Sequence, residues 1–199
     1  KTGTLTQNKM SVAELRLIKG KKTHFHLDAM GALPAVFRDL VEGGLLASAL
    51  NPFDPMDKAF HELAGQEMEA HQLARLKGWK LERTYGLRPG LLAVTQVWSA
   101  PGGKGEPLVA AKGAPEAIAA LCRLSVKDRK LMSDAVNEMA GEGLRMLGVA
   151  RAVFNSKSLP KSPRSFDFKI AGLVGLKDPL RASVPESVAQ SRSAGIHVI

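Results

Sequence analysis

From Phe168 to Leu176 the chain is apolar at every position except Lys169. A run this even does not alternate between core and water. It predicts a strand buried on both faces, a habit typical of parallel sheets. The spacing then predicts a helix over 184–193, stopped by Gly195, and a second apolar strand beginning at Ile196. This end of the chain reads as a strand–helix–strand unit left incomplete.

The rest of the sequence has a different rhythm. Residues 8–18 and 23–27 read as two strands around a turn at Gly20-Lys21. Helical spacing of Val36, Phe37, Leu40, Val41, Leu45 and Leu46 predicts a helix over 35–49, broken by Asn51-Pro52-Phe53. Asp54 has the character of an N-cap, with Pro55 at the first helical position, and that helix is expected to run through His61 towards Leu73. Strands are expected over 79–84, 91–98, 108–111 and 144–154, and helices over 115–121 and 128–140. Residues 155–164, rich in Ser, Lys and Pro, read as an exposed loop.

Composition narrows the function classes. With 45% hydrophobic and 24% charged residues the chain is typical of a soluble globular protein, and no apolar run is long enough to span a bilayer. The net charge of +9 points to anionic partners, but the basic residues are dispersed and aromatics make up only 5%, which disfavours a nucleic-acid surface. Cys122 is the only cysteine, so an intramolecular disulfide is impossible; its apolar surroundings suit a buried thiol. The five histidines, His24, His26, His61, His71 and His197, show no metal-ligand spacing. Gly102-Gly103-Lys104-Gly105 lacks the spacing of a phosphate-binding P-loop and reads as a hairpin turn.

Three segments carry chemistry. Lys1-Thr2-Gly3-Thr4-Leu5-Thr6 combines hydroxyls, a position free of side chain and a compact positive charge, which together suit a phosphoryl group. Val109-Ala110-Ala111-Lys112-Gly113-Ala114-Pro115-Glu116 ends a strand in Lys-Gly before a helix opened by Pro115, so that a lysine can lean over a ligand beside bare backbone. Gly175-Leu176-Lys177-Asp178-Pro179-Leu180-Arg181 places an aspartate where a buried strand stops, the usual position of a functional group in an α/β sheet and equally that of a helix cap.

In this order the three segments resemble the signatures of P-type cation-transporting ATPases: the Asp-Lys-Thr-Gly-Thr-Leu-Thr phosphorylation motif without its leading aspartate, the Lys-Gly-Ala-Pro-Glu motif of the nucleotide-binding domain, and the Asp-Pro-Pro-Arg hinge, with Leu180 in place of the second proline. Gln7-Asn8-Lys9-Met10-Ser11 is similar to the calcium-pump-like group. The resemblance implies an α/β fold: an α+β nucleotide-binding domain on a twisted antiparallel sheet flanked by helices, with fragments of a dehalogenase-like parallel α/β domain at both ends. The implied boundaries are 1–9 for a phosphorylation-domain fragment, 10–165 for the nucleotide-binding domain and 166–199 for a second phosphorylation-domain fragment. The implied ligands are ATP and Mg²⁺. The implied partners are the actuator, phosphorylation and transmembrane domains of a parent pump, with this chain a cytoplasmic segment of an integral membrane protein and nucleic acid no partner.

The site residues follow from the same resemblance. The acceptor aspartate falls just before Lys1, so the segment alone is expected to be inactive; Lys1 would neutralise the phosphoryl group, and Thr2 would touch phosphate and Mg²⁺. Lys112 would line the adenosine pocket beside Gly113. Asp57, in Asn51-Pro52-Phe53-Asp54-Pro55-Met56-Asp57, would take the adenine amino group, or else complement the helix dipole. Tyr85 would stack on adenine, or else pack in the core. Arg88 would contact phosphate, Arg145 would reach towards the β-phosphate or cap the preceding helix, and Asp178 with Arg181 would face the phosphates or order the hinge. Rival expectations are a stand-alone nucleotide-binding module and a dehalogenase-type phosphatase.

Overall fold

The computed structural model describes residues 4–20, 23–27, 32–68, 77–103, 105–154 and 158–196. Lys1, Thr2, His71, Leu73 and His197 lie outside the described residues.

The strands are β1 (Ser11–Arg16), β2 (His24–His26), β3 (Lys80–Tyr85), β4 (Ala93–Ser99), β5 (Leu108–Gly113), β6 (Arg145–Val153) and β7 (Lys169–Lys177). The α-helices are α1 (Arg38–Leu46), α2 (Pro55–Glu67), α3 (Pro115–Leu121), α4 (Val126–Gly141) and α5 (Val184–Ser193). The strands form a sheet in the order β2-β1-β7-β6-β5-β4-β3. Every strand ladder among the described residues is antiparallel.

This direction corrects the expectation for the apolar run. β7 is central and nearly unbroken in its burial, yet it runs antiparallel to both β1 and β6. Its two buried faces arise because α1 and α2 cover one side of the sheet and α3 and α4 the other. An apolar run records burial on both faces; it does not record strand direction.

On the α1/α2 face, Leu15, Phe37, Leu40, Phe60 and Val174 are inaccessible to solvent. Each such side chain stabilises the fold by roughly 1.5–3 kcal/mol. The helices approach closely because Gly44 has no side chain: a Cβ there would run into the Phe60 ring. The other face buries Val109, Ala111, Ile118, Leu121, Phe166 and Phe168 beneath α3. Phe166 meets Tyr85, Phe154 and Phe168 edge-on, with ring centroids 5.9, 5.0 and 5.8 Å away.

Side-chain caps open two of the α-helices. Asp54 caps α2, its Oδ1 accepting from the backbone N–H of Met56 at 2.8 Å and of Asp57 at 3.4 Å. Ser125 caps α4 by accepting from the Asp128 N–H at 3.1 Å, and α4 starts before Asp128 for that reason. Asp128 in turn pairs with Lys19 at 2.8 Å, a hydrogen bond that holds its carboxyl below the usual range. α5 differs from the others: none of its residues is buried.

Candidate functional site

The site begins where α1 ends. Ser48 Oγ donates back to the Gly44 carbonyl at 2.8 Å, and the Trp98 indole N–H donates to the Leu46 carbonyl at 2.8 Å. The Gln96 amide faces the Leu46 and Ser48 carbonyls at 2.8 and 3.1 Å, with its nitrogen as donor. These bonds fix the chain as it leaves α1, and α2 then enters with Asp57 in its first turn. Asp57 Oδ2 accepts from the Ala49 N–H at 2.9 Å, while His61 Nε2 lies 2.8 Å from the Ala49 carbonyl.

Into this corner β5 sends Lys112. Its ammonium donates to Ser48 Oγ at 2.5 Å, pairs with Asp57 Oδ1, and lies 4.8 Å from the centre of the Phe60 ring. Lys112 is only 7% exposed. Burial dominates its titration and lowers its pKa below the ordinary lysine value; the hydrogen bond and charge of Asp57 pull the other way and offset only part of that. Next to it, Gly113 is required by the sheet, since a Cβ would strike the Leu92 carbonyl of the chain leading into β4. A cleft of about 330 Å³ opens beside the cluster, lined by Ser48, His61, Lys77, Trp79 and Trp98 among others.

The remaining expected residues gather at the same end of the sheet, but not all on one face. Lys112 pairs with Val149, and two alternations along β6 bring Arg145, which is exposed, to the same side. Tyr85 is on the other side: it is 3% exposed, donates its hydroxyl to the Pro160 carbonyl at 2.6 Å, and packs against Phe166. The cause is a bulge in β3, where the register shifts between Leu81 and Arg83. One extra residue moves every later side chain to the opposite face. Arg88 sits exposed in the tight turn closed by its reciprocal bonds with Leu91, at 3.2 and 2.9 Å.

Two motifs far apart in sequence lie side by side. Thr6 and Leu180 form an antiparallel bridge; the Gln7 N–H donates to the Pro179 carbonyl at 2.9 Å, and the Arg181 N–H to the Leu5 carbonyl at 2.9 Å. Arg181 Nε also donates to the Thr6 carbonyl at 3.1 Å. Leu180 therefore keeps the crossing ordered through backbone pairing rather than ring stiffness. Asp178 is partly buried, and its Oδ1 is shielded from solvent without a hydrogen-bond partner. Sequence reasoning missed Ser48, Gln96 and Trp98; their small or isolated signals gave no reason to link them to Lys112.

The chain is thus a mixed α/β domain with a buried lysine near the end of an interior strand and its residues 5–7 paired with 179–181. Residues 94–183 match the family model described as P-type ATPase, cytoplasmic domain N. Over those residues the chain is similar to that domain, and the relatives that match it along its length include calcium-transporting ATPases. It is 27% identical to the plasma membrane-type calcium-transporting ATPase 8 of Arabidopsis thaliana, covering 100% of this chain and 20% of that protein. It is 27% identical to the plasma membrane calcium-transporting ATPase 4 of Bos taurus, covering 100% of this chain and 19% of that protein. It is 28% identical to plasma membrane ATPase 1 of Saccharomyces cerevisiae, again covering 100% of this chain and 19% of that protein. The chain thus spans about a fifth of the length of these relatives. No helix among the described residues is long and apolar enough to cross a membrane.

Proposed function

We infer that this chain is the ATP-holding cytoplasmic segment of a cation pump, of the calcium type, which phosphorylates an aspartate directly preceding Lys1 in the parent protein. The observation that carries the inference is the buried Lys112–Asp57–Ser48 cluster at one end of the sheet. An ammonium lowered by burial and held by one carboxylate is poised to exchange that partner for a ligand. MgATP entering beside α2 would separate Lys112 from Asp57. Asp57 would accept from the adenine amino group, and Lys112 would line the adenosine with Gly113 at its side.

The phosphates would then extend past Arg145, with Arg88 on the exposed turn, towards the paired crossing of 5–7 and 179–181. There Lys1 and Thr2 would meet the γ-phosphoryl group, and Arg181 would order the crossing. Asp178 Oδ1, an oxygen donor without a partner, fits the hard ligand set of Mg²⁺ arriving with the nucleotide. Tyr85 supports the pocket from behind in this conformation; stacking on the base would require the bulge in β3 to relax.

The segments 1–9 and the chain after β7 would belong to a dehalogenase-like phosphorylation domain. The boundary expected at 166 moves in this reading to the end of β7, because β7 is hydrogen-bonded within the sheet. The exposed α5 suits a helix whose packing partners lie in that domain. Transmembrane and actuator domains of the parent would complete the pump at the cytoplasmic face of a membrane.

The test is titration of MgATP into the purified chain, followed by Trp79 and Trp98 fluorescence, for wild type and Lys112→Ala. Saturable binding in the millimolar range or tighter, weakened at least tenfold in the variant, is expected. Equal binding by both would remove Lys112 from the pocket, and no binding at all would remove the pocket.

A further inference from the structure

A second polar group lies away from Lys112. Potential ligand atoms of Glu14, His26 and Glu142 all fall within 4.8 Å of one another. Glu14 and His26 face each other across the β1–β2 ladder, and Glu142 is the C-cap residue of α4. Glu14 is fully buried. Its Oε1 accepts from Arg16 Nε at 2.7 Å and lies 2.6 Å from Arg16 Nη2, while Arg16 Nη1 pairs with Glu138 on the last turn of α4. Glu14 Oε2 is shielded from solvent and has no hydrogen-bond partner.

A buried carboxylate oxygen left without a partner is costly, because the hydration it gives up is not replaced. The charges around it sharpen the anomaly. Three carboxylates, Glu14, Glu138 and Glu142, converge on the C-terminal end of α4, where the helix itself presents negative charge and its last turn holds no basic residue. Arg16 is committed to Glu14 Oε1 and Glu138. The remaining negative charge is centred on Glu14 Oε2 and Glu142, with an imidazole beside them, in a chain whose net charge is +9.

We propose that Glu14 Oε2, His26 and Glu142 form a binding site for a divalent transition metal of the Zn²⁺ class. One imidazole and two carboxylates suit Zn²⁺, whereas Mg²⁺ and Ca²⁺ select oxygen donors alone. Zinc bonds of roughly 2.0–2.2 Å set tetrahedral ligands about 3.4 Å apart. A triad already within 4.8 Å would close by small side-chain shifts, in which the exposed Glu142 is the freest to move, leaving a fourth position for water. The ion would tie the β1–β2 hairpin at the edge of the sheet to α4.

The experiment titrates ZnCl2 into the purified chain by calorimetry and follows thermal unfolding with and without the metal. One Zn²⁺ bound per chain with a raised Tm is expected. Affinity should fall at least tenfold, and the Tm gain should vanish, in His26→Asn and in Glu142→Gln; the second changes an exposed residue and leaves the fold intact by circular dichroism. His24→Asn should behave as wild type. Zn²⁺ binding that is equal in wild type and both variants would overturn the proposal by showing adventitious chelation, as would the absence of binding. An equal Tm gain with Mg²⁺ would overturn the assignment to a transition metal.

Discussion

The two faces of the sheet differ in what they bury. Beneath α3, the face around Tyr85 is closed by aromatic and aliphatic side chains, and its phenol is satisfied by a single backbone carbonyl. Beneath α1 and α2, the other face keeps an ammonium, a carboxylate and a hydroxyl beside its apolar core, with Glu42 and Gln96 also buried there. The first face is built for stability. The second retains a charge pair that a hydrophobic substitution of similar volume could often replace at no loss of stability, which fits a ligand site better than a structural one.

The largest effect should come from the apolar face. Phe166→Ala removes the ring at the centre of three edge-on contacts and is expected to cost about 3–5 kcal/mol in urea unfolding. The protein that remains folded should still bind MgATP as wild type. A loss of affinity matching that of Lys112→Ala would mean that the two faces are not separable.

On the polar face, Asp57→Ala strands the Lys112 ammonium and is expected to destabilise by roughly 3 kcal/mol at pH 7. Its pH dependence has a definite sign. Lys112 binds its proton less well in the folded state than in the unfolded state, so the unfolded chain carries more protons between the folded pKa and about 10.5. The penalty is therefore full below the folded pKa and fades as pH rises through that window. Without Asp57 the window reaches to lower pH, and the stability gap between variant and wild type should narrow from pH 7 to pH 10. A gap that stays constant in paired urea melts would show that Lys112 is not the cause.

Much of this arrangement was legible in the sequence. The helix caps at Asp54 and the helix opened by Pro115 follow from local chemistry, and the Lys112 and Asp178 motifs both fall at strand ends, as their residues suggested. What was not legible has physical reasons. The direction of β7 is hidden because burial on both faces looks the same in parallel and antiparallel sheets. The side on which Tyr85 lies depends on one extra residue between Leu81 and Arg83, and the Glu82 side chain does not mark a bulge. Glu14, His26 and Glu142 share no sequence spacing, since a hairpin and the far end of a helix bring them together.

The central claim is that nucleotide binds on the Lys112 face. The most direct measurement is amide chemical-shift mapping of the isotope-labelled chain during MgATP titration. The account predicts saturable shifts concentrated at Ser48, Ala49, Asp57, Val94 and Lys112, with Ile118 and Phe166 unmoved. Saturable shifts centred on Tyr85, Ile118 and Phe166, with Lys112 and Asp57 unmoved, would contradict it.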